Sequence, residues 1–335
     1  MENTTDPTPG QTAPTLERLC RVSLLACAAW ASLPAQASCV EQHPLTSQCV
    51  RWADGTRPAG PQLLAAVRDQ PAPGAAHKAL AQPKIVGGTI APASANPWQV
   101  ALVARQRPSA QEGQFCGGAN IGGGWVLTAA HCVDEAPASA FEIFSGSDSL
   151  RQGGRRTGVA RVVIHPEWNR ERLQNDIALV QVQGGASGLA GEPVLGPAGL
   201  PEAILRFLPV RSTGWGRNLR TDAMAQPELL TVDLPYVTLD RCGAPQAYGT
   251  LVNEKMLCAG PDDTSASTCN GDSGGPATAE FGGVRRLVGL VSFGKPGCNK
   301  PFGYSVFTKV SAFLPWITSV TEGSSAAAPG TRGWR

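Results

Sequence analysis

Between residues 85 and 310 the sequence offers no helical period, only short β-type runs broken by turn residues, and this restricts what it can fold into. A first set covers 98–104, 125–129, 141–145, 159–164 and 177–182. A connection rich in Gly, Pro and Ala follows over 184–209. A second set covers 229–234, 256–259, 286–293 and 304–310. The 39 glycines and 28 prolines, with only 16% charged residues, fit many tight turns and few long helices. Two sets of short strands predict two antiparallel barrels or sandwiches. One helical pattern closes the region at 311–320, with Ser311 as N-cap and Phe313, Leu314, Trp316 and Ile317 on an apolar face. The small, polar stretch 321–335 reads as a disordered tail.

The N-terminal third has another character. Arg18 and Arg21 precede an apolar run at 22–33, and Ala35-Gln36-Ala37 follows. This layout predicts a signal peptide over 1–37. The run is too short for a membrane-spanning helix, and too few apolar residues precede Cys27 for a lipid-anchored leader, so no membrane anchor is expected. Residues 38–84, rich in Pro, Ala and Gln, read as a loosely ordered segment ahead of the strands. A formal net charge of +2 gives no reason to expect a nucleic-acid partner. Of ten cysteines, Cys20 and Cys27 fall in the leader. The remaining eight are Cys39, Cys49, Cys116, Cys132, Cys242, Cys258, Cys269 and Cys298. An even set in a secreted chain, extracellular or periplasmic, reads as a disulfide framework. No pair has the C-x-x-C spacing of a zinc or redox site.

Three short motifs carry chemistry. Cys269-Asn270-Gly271-Asp272-Ser273-Gly274-Gly275-Pro276 places a serine on a glycine-rich turn, where backbone N–H groups can approach a ligand. Thr128-Ala129-Ala130-His131-Cys132 places a histidine directly after an apolar run. Asn175-Asp176-Ile177-Ala178-Leu179 places an aspartate directly before one. Serine is a poor nucleophile until a base takes its proton. Imidazole is the side chain suited to that near neutral pH, and a carboxylate fixes its tautomer. His131, Asp176 and Ser273 supply these three parts.

With Ile85-Val86-Gly87-Gly88 and Gly214-Trp215-Gly216, these motifs occur in the order and approximate spacing of the chymotrypsin/trypsin-like serine protease family. The resemblance spans about 85–320. It implies an all-β fold of two six-stranded antiparallel barrels with a C-terminal helix, and the site at their junction. It also implies a secreted serine endopeptidase acting on proteins and peptides. By resemblance His131 is the general base, Asp176 its orienter and Ser273 the nucleophile, and the N–H groups of Gly271 and Ser273 form the oxyanion hole. The family pairing of cysteines is Cys116–Cys132, Cys242–Cys258 and Cys269–Cys298. A further common family bridge would need cysteines where Val210 and Ala279 stand. Cys39 and Cys49 then have only each other. The competing reading is a silent homologue that serves as a binding or regulatory module. Such proteins typically lose a triad residue or the oxyanion glycine, and this chain keeps them all.

The resemblance also implies a zymogen. Residues 38–84 become a propeptide, cut at Lys84–Ile85, and the new amino group of Ile85 pairs with Asp272. Specificity is expected from Ser267 as pocket floor, from Ser292, Phe293 and Gly294 along the substrate backbone, and from Ser305 on the deep wall. Gly303 is the alternative at that last place. Family members usually carry Trp where Phe293 stands. Members that cleave after Lys or Arg hold an aspartate at the floor, but no Asp or Glu occurs in 265–269 or 284–310. A buried cation there would lack a partner. The expected preference is therefore apolar, aromatic or Leu first and smaller aliphatic second. A separate Lys/Arg-specific protease is expected as activator. No cofactor and no metal is expected, because 147–156, matching a calcium loop of some relatives, supplies only Asp148. The chain is expected to be a monomer.

Overall fold

A computed structural model describes residues 85–92, 94–189, 200–216, 224–298 and 300–323, with the backbone alone at 39–42 and 49–51. The chain divides into two compact units, Met1–Lys78 and Ala79–Arg335. In the first, β1 (Cys39–Gln42) and β2 (Cys49–Arg51) pair antiparallel, with Cys39 opposite Arg51 and Cys49 opposite Gln42. The stretch expected to be loose thus carries a short hairpin. The Cys39–Cys49 bridge lies outside the described side chains, and the leader and Lys84 lie outside the described residues.

The second unit contains β3 (Thr89–Ile90), β4 (Gln99–Ala104), β5 (Gln114–Gly122), β6 (Trp125–Thr128), β7 (Phe141–Ser145), β8 (Arg155–Ile164) and β9 (Ala178–Val182). It continues with β10 (Val210–Gly214), β11 (Leu230–Leu234), β12 (Tyr236–Val237), β13 (Met256–Ala259), β14 (Pro276–Phe281), β15 (Val284–Phe293) and β16 (Ser305–Lys309). Strands β4-β5-β6-β9-β8-β7 close into an antiparallel barrel. Strand β4 explains why these runs read as continuous rather than alternating. Val100 and Leu102 point into the barrel core, while Ala101 and Val103 join Trp215 and Leu229 in a cluster on the other side. Both faces are covered, so both must be apolar.

The second half is a curled sheet in the order β12-β13-β16-β15-β14-β10-β11-β3. Its six longer strands are flanked by the two-residue β12 and β3, and its ladder does not close among the described residues. Pro235 alone separates β11 from β12, which lie near opposite ends of the order. A proline has no N–H for the ladder and is at home where a strand leaves one partner for another. Between the halves, Leu127 and Leu179 pack with Leu287, Leu290, Phe313 and Ile317. Val210 and Ala279, where a family bridge is missing, are buried together in the core of the second half.

Among the strands of the second unit longer than two residues, β5, β10 and β14 are absent from the sequence reading, as are the two-residue β3 and β12. Strand β5 hides because it holds Gly117 and Gly118 where a strand former would be expected. A Cβ on Gly117 would lie 2.9 Å from the Cα of Gly275, so the strand must be bare where the serine loop presses on it. Strand β14 begins on Pro276, a residue tolerated only at such a first position or an edge. At the C-terminus, Ser311 lies inside a 3-10 turn (Val310–Phe313) and is not an N-cap; the helix runs Leu314–Gly323. Its last three residues occupy the start of the expected tail, and the remainder of that tail lies outside the described residues. Among the described residues no helix is long and apolar enough to cross a membrane.

Candidate active site

His131 sits in a 3-10 turn, Ala130–Cys132, at the exit of β6. Asp176 stands just before β9, which pairs with β6 with Thr128 opposite Ala178. The barrel register thus brings two residues 45 positions apart side by side. His131 Nδ1 lies 2.7 Å from Asp176 Oδ2, and the backbone N–H of His131 donates to Asp176 Oδ1 at 2.9 Å. Ser292 Oγ donates to Asp176 Oδ2 at 2.5 Å, and Thr308 Oγ1 donates to its backbone carbonyl at 2.6 Å. The Asp176 side chain is fully buried, whereas that of His131 is 23% exposed. A buried carboxylate gripped by these donors holds the ring by one edge, leaving Nε2 toward the cleft.

The serine loop is tied to the same place from both halves. Gly117, beside the disulfide-bonded Cys116, donates its N–H to Ser273 O at 2.8 Å. Gly274 N–H donates to Val291 O at 2.7 Å, one residue from Ser292. Ser273 is half-buried and lines the cleft. Ser273 Oγ and His131 Nε2 are not hydrogen-bonded in this structure; such contacts commonly tighten only with substrate. The N–H groups of Gly271 and Ser273 donate to no protein acceptor among the described residues. Gly271-Asp272-Ser273-Gly274-Gly275 also satisfies the G-x-S-x-G pattern of α/β-hydrolases. That pattern needs a helix after the serine, and here the strand β14 follows.

Asp272 is fully buried. Its Oδ2 accepts from Cys269 N–H and its Oδ1 from Gly216 N–H, each at 2.8 Å. Burial pushes its carboxyl up to about 7, against the pull of those two donors, and no cation among the described residues offsets it. The motif Gly214-Trp215-Gly216 has its reason here. A Cβ on Gly214 or Gly216 would lie 2.2 or 2.3 Å from this carboxylate. Ile85 is fully buried in the core of the second half, and Val86 and Ser267 exchange backbone hydrogen bonds at 3.1 Å.

Beside Ser273 opens a cavity of about 230 Å³. Ser292, Phe293, Gly294, Gly303 and Ser305 line it, so both candidates for the deep wall are present. Ser267 does not line it, contrary to its expected place at the floor. Thr268 does, and its N–H and Oγ1 both donate to Ser305 Oγ at 2.9 Å. Ser305 lines the cavity beside Thr268, and Ser267, next to Thr268 in the chain, is buried with its Oγ unpartnered. Among the described residues that line it, none is acidic. Lys295, which sequence reasoning missed, is at the rim and donates to the carbonyls of Gln246 and Pro301. Phe293 meets Tyr248 edge-on at 5.5 Å. Gly294 leaves the mouth open, since a Cβ there would meet nothing closer than the Tyr248 hydroxyl and the Tyr304 carbonyl at 3.9 Å.

Among the described residues three disulfides are formed: Cys116–Cys132, Cys242–Cys258 and Cys269–Cys298. The first excludes a metal at Cys116, His131 and Cys132, because both sulfurs are spent on each other. The third anchors the serine loop to the wall of the cavity.

A β-barrel paired with a curled sheet, carrying an Asp–His couple and a serine on a glycine turn at their junction, defines a serine-protease framework. The family model described as Trypsin matches residues 85–317. Vitamin K-dependent protein C of Oryctolagus cuniculus is 35% identical over 256 residues, which is 73% of this chain and 54% of that relative. The chain therefore spans about half the length of that curated relative. The chain belongs to the trypsin-like serine protease family.

Proposed function

We propose that this chain is a secreted serine endopeptidase, made as a zymogen and cut at Lys84–Ile85 by a separate Lys/Arg-specific protease. The observation that carries the reading is the double grip of Asp176 on His131, through Nδ1 and the backbone N–H. It fixes the tautomer that leaves Nε2 free to accept a proton. Ser273 Oγ attacks the substrate carbonyl as its proton passes to Nε2, and Asp176 stabilises the imidazolium. The N–H groups of Gly271 and Ser273 hold the oxyanion. The leaving amine takes the proton from His131. A water then repeats the cycle, releasing the acid from Ser273.

The cavity favours apolar side chains at the cleaved bond. Its lining includes a neutral hydroxyl pair that satisfies itself, and the described lining residues hold no carboxylate to meet a cation. Aromatic and Leu residues fit first, smaller aliphatic ones second, and the enzyme does not cut its own Lys84–Ile85 bond. Asp272, buried without a cation, is the receptor for the amino group that cleavage frees at Ile85. The protein acts as a monomer, outside the cytoplasm, without cofactor or metal.

The test is to cut the purified chain at Lys84–Ile85 and treat it with an organophosphonate. Labelling of Ser273 in cut but not in uncut protein supports the zymogen reading. No labelling in either form would show a binding module instead. A peptide series varied only at the cleaved position then settles specificity, and a preference for Arg or Lys would sink the apolar reading.

A further inference from the structure

A backbone N–H that must stay free for substrate cannot anchor its own residue. Gly271 has no side chain to pack, so its only other handle is its carbonyl oxygen. That oxygen accepts from Gln114 Nε2 at 2.7 Å, and this is the one hydrogen bond that Gly271 itself makes among the described residues. Gln114 lies 157 residues away, at the start of β5 in the other half of the fold, and is 5% exposed. The ladder between β4 and β5 slips where it begins. Leu102 faces Cys116, but Val103 faces Gln114, leaving Phe115 as an extra residue. Such a bulge re-aims neighbouring side chains. Phe115 packs edge-on against Phe141 in the barrel core, while Gln114 reaches out to the serine loop. The amide also rests on the glycine, since a Cβ on Gly271 would lie 3.2 Å from Gln114 Oε1. With φ at +93°, Gly271 holds a conformation that its own sterics do not select.

We propose that Gln114 is a positioning residue for the oxyanion hole, holding Gly271 by its carbonyl so that its N–H points into the cleft. This rests on the endopeptidase reading above. An oxyanion donor acts only when fixed within a fraction of an ångström of the developing charge, so loosening Gly271 costs the transition state and spares ground-state binding.

The test compares chains cut at Lys84–Ile85 and carrying Gln114→Met, Gln114→Glu or Gln114→His. Methionine and glutamate keep the length of glutamine but lack the donor; histidine keeps a donor. The expected result for the first two is a kcat lower by about tenfold with KM unchanged, the pattern of an interaction made only in the transition state. The inhibition constant of a peptide aldehyde, which forms a tetrahedral adduct on Ser273, rises by the same factor. Gln114→His recovers most of the loss. A kcat within about twofold of the parent for Gln114→Glu overturns the proposal, as does a loss carried by KM or by a smaller phosphonate-labelled fraction. If Gln114→Met does not fold, Gln114→Glu and Gln114→His still decide it. A parent chain that takes no label after cutting overturns the endopeptidase reading and this one with it.

Discussion

Asp272 makes the uncut chain less stable as pH rises, and replacing it should help that form while disabling the cut one. Its carboxyl is raised from the ordinary 3.8 to about 7 by burial. Between those values the folded chain binds a proton that the unfolded chain has released, so stability falls as pH rises through this window. The full cost, reached above about pH 7, is on the order of 4 kcal/mol, from 1.36 kcal/mol per pH unit of pKa change. In Asp272→Asn the charge is gone. Its single carbonyl oxygen serves one of the two donors, Cys269 N–H or Gly216 N–H, and the other is left unpaired at about 1–3 kcal/mol. In the uncut chain the variant should therefore be less stable than the parent at pH 4 and more stable at pH 8. Cutting at Lys84–Ile85 should reverse the sign at pH 8, because the amino group of Ile85 then loses its partner. The assay is urea unfolding from pH 4 to 8, in a Ser273→Ala background to prevent autolysis, with the parent-minus-variant difference as readout. A difference independent of pH across this window would refute the reasoning. So would a uniformly destabilised uncut variant.

Three further outcomes are expected. Asp176→Asn should lower kcat by roughly four orders of magnitude with little change in KM, by offering His131 Nδ1 the wrong partner; steady-state kinetics check it. Ser305→Gly should break the clasp with Thr268, enlarge the cavity and shift preference further to aromatic over aliphatic residues, read by the ratio of kcat/KM on paired peptides. Gly216→Ala should destabilise the fold by about 3 kcal/mol or more, because the new methyl would meet the Asp272 carboxylate at 2.3 Å; thermal melting of the uncut chain measures it.

Much of the site can be read in the sequence. His131, Asp176 and Ser273 lie in short motifs whose residue types are dictated by the reaction, and a reaction tolerates few substitutes. The paired sets of short β runs announce the two halves for a similar reason. Burial on a strand demands apolar residues at fixed spacing, and turns demand Gly and Pro. Two of the strands that the sequence does not announce, β5 and β14, are places where another constraint outranks strand propensity. Gly117 must yield to the serine loop, and Pro276 opens a strand straight out of that loop.

What only the tertiary structure decides is which distant groups share one space. Nothing near Gly214 or Gly216 in the chain says that a carboxylate from Asp272 will fill the volume their side chains would need. Nothing near Gln114 says that its amide will meet Gly271 across the junction, since a single bulge redirects it. Counting from Ser273 puts Ser267 at the pocket floor, but nothing near it in the chain says that Ser305, from another strand, will bond its neighbour Thr268 and line the cavity with it. Local motifs fix the chemistry a chain is equipped for, because that depends on residue type. The shape of the pocket, the state of the buried aspartate and the hold on the oxyanion loop depend on packing between segments far apart in sequence.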